Sequence, residues 1–146
     1  MDKAFSLAGL RLGYLLTGDF FNDHFSDFPS FLSKSTLFSA IEALKNPEYM
    51  TVNVNKIMSE KARLEKELTQ IGIQVSPGSA NFILIKNNLP DFGKKLMDAE
   101  IFIKDLSDEW IEGFYRISIG LPEENNILLS VIKKICADEH DKSLKR

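Results

Sequence analysis

The sequence predicts an α/β chain in two pieces: the end of a layered domain, then a small α+β lobe with its own sheet. Three observations carry this. Arg11 to Thr17 (RLGYLLT) is apolar on both faces, the pattern of a strand covered on both sides. A single amphipathic run from Pro47 to Ile71 is long enough for a bridging helix of about 25 residues, roughly 37 Å. Beyond Gly72, short apolar or alternating runs interleave with helical ones.

In chain order, Gly18-Asp19 is a turn, and Asp19 caps a short helix that would bury Phe21, Phe25 and Phe28 before Pro29-Ser30 breaks it. A second helix is expected over Ser35 to Lys45, with Leu37, Ile41 and Leu44 on one face. Asn46-Pro47-Glu48 starts the long helix with a cap, a first-turn proline and an acid at the positive helix end. Its stripe is Met50, Val54, Ile57, Leu64, Leu68 and Ile71, and Gly72 stops it. Ile73 to Val75 is short and extended, Ser76-Pro77-Gly78-Ser79 fits a type II turn, and Asn81 to Lys86 (NFILIK) is a strand. Pro90 to Glu100 is an amphipathic helix with Phe92, Leu96 and Met97 inward, and Ile101 to Lys104 is a strand. Phe114 to Ile119 (FYRISI) alternates as a half-buried strand does. Pro122 opens the last helix, whose buried stripe is Ile127, Leu128, Val131, Ile132 and Ile135. The polar run from residue 138 is expected to be disordered. The pieces are therefore residues 1–45, 46–138 and a polar tail, 139–146. The first looks incomplete, because a strand apolar on both faces needs neighbours and few candidates exist.

Composition narrows the function classes. The 146 residues are 44% hydrophobic, enough for a core, and the net charge is −3. No basic stripe argues for nucleic acid, and no apolar run approaches a membrane span or a signal peptide. A soluble cytoplasmic chain is expected. His24 and His140 have no partners at metal-ligand spacing and read as surface, so no metal is expected. Cys136, the one cysteine, ends an apolar helix face and reads as core. Phe20, Phe21, Phe25 and Phe28 read as core or interface, since no basic residues interleave with them.

The chemistry-bearing segment is near the start: DKAFSLAGLRLGY. A lysine in such a place is ordinarily solvated. Here an uncharged loop joins Lys3 to Arg11, which suits a carbonyl-binding amine beside an anion site: a nearby cation depresses an amine's pKa, and an arginine fork fits phosphate. The segment resembles the lysine-bearing segment of fold-type I pyridoxal-phosphate aminotransferases, the histidinol-phosphate aminotransferases above all. Two further matches follow in order, Ser79-Ala80-Asn81-Phe82 and Tyr115-Arg116-Ile117-Ser118-Ile119-Gly120 with Pro122-Glu123-Glu124-Asn125.

The resemblance implies the C-terminal portion of a fold-type I transferase: the end of the large domain and the small domain. It implies pyridoxal 5′-phosphate as cofactor, with Lys3 as the catalytic amine that bonds it and Arg11 on its phosphate. It implies that Arg116, helped by Lys104, grips the anionic substrate, a phosphorylated amino compound whose amino group passes to 2-oxoglutarate in histidine biosynthesis. It further implies a homodimer when complete and a separate or missing N-terminal part that carries the remaining cofactor contacts. Two residues depart from the family pattern: Asp2 replaces the usual serine, and Lys104 stands for the usual arginine, keeping charge but losing the bidentate fork. Three readings stay open beside the leading one: a threonine-phosphate decarboxylase, an aromatic aminotransferase, and a non-catalytic fragment that needs an N-terminal partner.

Overall fold

The computed structural model describes residues 3–13, 18, 32–107 and 111–144. The chain divides into two compact units, residues 1–55 and 56–146.

In the first unit a short 3₁₀ turn over Ala8–Leu10 ends at Arg11, which is left-handed with φ 53°. The Arg11 N–H donates to the Ala8 carbonyl at 3.2 Å and closes that turn. The expected strand therefore does not begin at Arg11. Its remainder, 14–17, lies outside the described residues, as do Asp19 and the phenylalanine helix. Helix α1, Lys34–Lys45, starts at Ser33, whose hydroxyl accepts from the Thr36 N–H at 3.0 Å. Its expected apolar face is present but exposed, at Leu37, Ile41 and Leu44, while Ala40 is buried. Asn46 ends α1 instead of capping the next helix: its side-chain amide donates to the Glu42 carbonyl at 2.8 Å.

Helix α2, Pro47–Gln70, opens on its proline as predicted. Its end is a Schellman motif. The Ile73 N–H donates to the Leu68 carbonyl at 3.0 Å, the Gly72 N–H donates to that of Thr69 at 3.1 Å, and Gly72 takes φ +81°. Leu68 and Ile73 then pack together in the core.

The second unit holds one antiparallel sheet: β1 (Gln74–Ser76), β2 (Phe82–Lys86), β3 (Lys104–Asp105) and β4 (Phe114–Ser118), in the order β1-β2-β4-β3. Helices α3 (Phe92–Asp98) and α4 (Pro122–Leu144) complete it. Ile83 and Ile85 of β2 and Tyr115 and Ile117 of β4 share one sheet face, buried in a core with Leu64 and Leu68 of α2, Phe92 and Leu96 of α3, and the α4 stripe. Phe92 meets Tyr115 edge to face, ring centroids 5.2 Å apart.

Five expectations change. Gly78 has no positive φ, so the type II turn, which needs one, does not form. Met97 is exposed, on the far side of a helix shorter than expected. Strand pairing starts at Lys104, not Ile101. A second Schellman closure, Ile101 N–H to Leu96 carbonyl at 2.9 Å with Glu100 at φ 61°, uses the residues in between. On α4, Leu129 is buried and Ile127 exposed, since the stripe follows Leu128, Ile132 and Ile135. The polar run is helical through Leu144.

Candidate active site

The sheet face away from the core carries the cations. Antiparallel register sets Arg116 of β4 directly across from Lys104 of β3 on one side and Leu84 of β2 on the other. Directly opposed like charges cost stability unless something offsets them. The Arg116 guanidinium lies over the Phe82 ring, 5.6 Å from its centroid, which favours one orientation of the fork. On the same face the Lys86 ammonium stands 5.6 Å from the Phe114 centroid. Arg116 and Lys104 both line a cavity of about 430 Å³ with Phe102, Ser118, Gly120 and Glu124. The Glu124 carboxylate accepts from the Leu121 N–H at 2.7 Å, so it is occupied as a helix cap. A small anion suits two cations at a partly apolar wall.

In the first unit, Lys3 and Arg11 belong to one tightly turned segment. The Lys3 carbonyl accepts from the Ser6 N–H at 3.0 Å, and the turn closed by Arg11 follows. Ser6 and Arg11 are both left-handed, at φ 56° and 53°. For residues with a Cβ that conformation costs of order 1–3 kcal/mol each; Asp91 and Glu100 adopt it too, at the ends of α3. Both Lys3 and Arg11 are exposed. Thus the four predicted site residues fall in two pairs, one in each unit. Asp2 lies outside the described residues.

Over residues 1–132 the chain matches the family model for aminotransferase class I and II. The chain belongs to that family. It is 30% identical over 139 residues to the histidinol-phosphate aminotransferase of Corynebacterium diphtheriae, covering 92% of this chain and 37% of that protein. A crystal structure of a putative aminotransferase from Burkholderia pseudomallei superposes with a TM-score of 0.84 at 27% identity, over 92% of this chain and 42% of the other. The histidinol-phosphate aminotransferase of Sinorhizobium meliloti, solved in complex with pyridoxal-5′-phosphate, shares the fold at TM-score 0.77 and 23% identity, over 93% and 39%. The chain spans about two-fifths of the length of these aminotransferases.

Sequence reasoning missed the polar groups that support this aminotransferase lobe. Lys61 is 2% exposed; its ammonium donates to the Phe82 carbonyl at 2.8 Å and pairs with Glu65 at 3.1 Å. Glu60, Arg63 and Glu67 form a ladder along α2: Arg63 donates to Glu60 through Nε and Nη2 and to Glu67 through Nη1 at 2.7 Å. Lys133 of α4 adds a bond to Glu67 at 3.1 Å. These donors hold both carboxyls below the usual range, Arg63 chiefly for Glu60 and Lys133 chiefly for Glu67, and the carboxylates raise the Arg63 pKa. The spacing of three and four on one helix was the available signal. Asn125 of α4 is 2% exposed and also reaches Glu60, at 3.0 Å.

Two other groups shift. Burial, then the Asp105 charge, pushes the Tyr115 hydroxyl up, and the Ser107 hydroxyl and N–H hold Asp105 down. Cys136 is half-buried against the core, as expected, and burial raises its thiol. His140 is exposed, and His24 lies outside the described residues. Among the described residues no cluster of histidine, cysteine or carboxylate could hold a metal, and no helix is long and apolar enough to cross a membrane.

Proposed function

We propose that this chain supplies the lysine-bearing segment and the small lobe of a pyridoxal-phosphate aminotransferase that takes the amino group of histidinol phosphate and gives it to 2-oxoglutarate. The observation that carries the substrate side is the Lys104–Arg116 pair, two cations in register across β3 and β4 at one cavity. Residues 1–45 belong, on this reading, with the cofactor lobe, and 46–138 with the small domain. The working enzyme is a cytoplasmic homodimer that includes the rest of the aminotransferase fold.

The residues present fit the cofactor in chemistry: one exposed amine and one exposed guanidinium on a single strained, hydrogen-bonded segment. When bound, pyridoxal phosphate supplies an aldehyde and an electron sink for the carbanion formed at the substrate Cα. Arg11 holds the phosphate by charge-assisted bonds. Lys3 would hold the cofactor through its aldehyde, and its amine would carry the proton taken from and returned to the substrate. Arg116 binds the substrate anion, its plane steadied on Phe82, and Lys104 adds a point charge.

The test is borohydride reduction of the assembled enzyme with pyridoxal phosphate, followed by peptide mapping. The label is expected on Lys3; a label on Lys34 or Lys61 refutes the assignment. A second assay separates substrates. Arg116→Ala should raise the KM for histidinol phosphate with a loss of roughly 2–5 kcal/mol, and unchanged kinetics would remove Arg116 from the site. The lysine at 104 keeps the charge without the fork, so it suits the phosphate of threonine phosphate as well as that of histidinol phosphate, and a threonine-phosphate decarboxylase is the second reading. Release of carbon dioxide from threonine phosphate would establish it.

A further inference from the structure

We propose that Asn125 is a positioning residue for the anion site: its buried carboxamide grips the backbone of Gly120, where the Arg116 strand turns into α4, and ties that corner to α2 through Glu60. The inference rests on the reading of Arg116 and Lys104 as an anion site.

The Asn125 side chain meets Gly120 twice. Its Nδ2 donates to the Gly120 carbonyl at 2.9 Å, and its Oδ1 accepts from the Gly120 N–H at 3.2 Å. Both backbone polar groups of one residue thus end on a single planar amide, which fixes the peptide planes on either side of Gly120. The second Nδ2 contact, to Glu60 Oε1 at 3.0 Å, uses the remaining donor. Glu60 is itself held by Arg63. Both donors of the buried amide and one lone pair of its oxygen are therefore engaged, which fixes the orientation of the side chain.

The gripped corner borders the site. Gly120 and Asn125 line the same cavity as Lys104 and Arg116. Between Arg116 and Gly120 the chain is pinned once more, by the Ile119 N–H on the Asn81 carbonyl at 3.1 Å. Little room exists at the corner: a Cβ on Gly120 would stand 2.5 Å from the Glu124 carboxylate and 3.4 Å from Asn125 Oδ1. A simple helix cap needs one bond to the helix's own first turn. This amide instead reaches back to the strand exit and across to another helix, the arrangement expected of a group that sets where the strand ends.

The test uses the full chain with inorganic phosphate as probe, read by amide chemical shifts at Arg116 and Ser118, with thermal unfolding in parallel. Asn125→Ala should weaken phosphate by about tenfold, within the ~100-fold that an ångström of misplacement costs a site. An Ile132→Val chain, destabilised through the core, should bind phosphate as the parent does. Glu60→Ala provides the decisive sign. Removing a carboxylate near a cationic site would tighten phosphate by charge alone, whereas loosening the grip on Asn125 weakens it. Weaker binding supports the proposal, and it stands on this variant if Asn125→Ala fails to fold. Unchanged or tighter binding by Glu60→Ala, parental affinity in a folded Asn125→Ala chain, or equal loss in Ile132→Val overturns it. Failure of the anion reading looks different: the parent chain gives no phosphate shifts, or Arg116→Ala leaves them intact.

Discussion

Replacing Lys61 separates two contributions that one buried lysine makes to the second unit. Its stem packs in the interior at 2% exposure, and its ammonium satisfies the Phe82 carbonyl at 2.8 Å. Lys61→Ala removes three methylenes, about 2.4 kcal/mol at ~0.8 kcal/mol each, and leaves the carbonyl without its donor, about 1–3 kcal/mol more. The expected loss is roughly 3–5 kcal/mol, a large share of the ~5–15 kcal/mol that stabilises a domain. Lys61→Met keeps most of the volume and loses only the donor. Its Glu65 partner is 32% exposed in the side chain and can turn to water. The methionine variant should therefore lose only about 1–3 kcal/mol. Urea unfolding checks this, with stability read from the midpoint at unchanged slope. A methionine variant as stable as the parent would show that the bond to Phe82 adds nothing net, as buried ion pairs sometimes do. Equal losses for both variants would show that the stem packing adds nothing.

Acid should weaken the second unit through Glu60 and Glu67. Their carboxyls sit below the ordinary glutamate value in the folded chain, so their contribution is whole above that value and fades as pH falls through the folded ones. In a pH series of melts, a Glu60→Gln, Glu67→Gln chain should lose less stability over that acid range than the parent does; identical acid slopes would refute the linkage. Cys136, its thiol raised by burial, should react slowly with a disulfide reagent at neutral pH and speed up only in alkali; rapid labelling at pH 7 would contradict its packing. Gly78→Ala should be neutral or stabilising by up to ~1 kcal/mol, because the backbone there has no positive φ and a Cβ meets nothing within 4 Å. Gly113→Ala, at φ +76° with Asn88 Oδ1 only 2.6 Å from the new Cβ, should cost more than ~1 kcal/mol by thermal unfolding.

What was legible in the sequence was what local rules decide. Pro47 and Gly72 bound α2 because a first-turn proline and a left-handed glycine act within a few residues. The apolar run FILIK marked β2, and alternation in FYRIS marked β4, where one face is buried and the other is not. Long-range packing decided the rest. Ile127 and Leu129 have similar hydrophobicity, and only the facing partners show which turns inward. Proline then glycine at 77–78 reads as a type II turn, yet the run from β1 to β2 needs none there. Arg11 looked like the first residue of a strand, but a local 3₁₀ closure claimed it. Of the candidate site, Lys3, Arg11, Lys104 and Arg116 were named through motif resemblance. The support beneath Arg116 was not, because a buried lysine and a buried asparagine look in sequence like any others on a polar helix face.

The site depends on the core through register. On β4, Tyr115 and Ile117 point into the core while Phe114, Arg116 and Ser118 point away. A slip of one residue would bury the Arg116 guanidinium and expose two core side chains, so the core tolerates one register only. That register is fixed by Ile117 opposite Ile83 and Tyr115 opposite Ile85. The same choice sets Arg116 across from Lys104 and brings its guanidinium onto the Phe82 ring. Arg116 and Lys104 are thus held side by side by hydrophobic packing on the other face, where on the proposed reading they receive an anion. A change that loosens Ile83 or Ile117 should therefore reach the proposed anion site without touching it, whereas a change at Phe102 or Ser118, on the cavity wall itself, should act on any bound anion and leave the register alone.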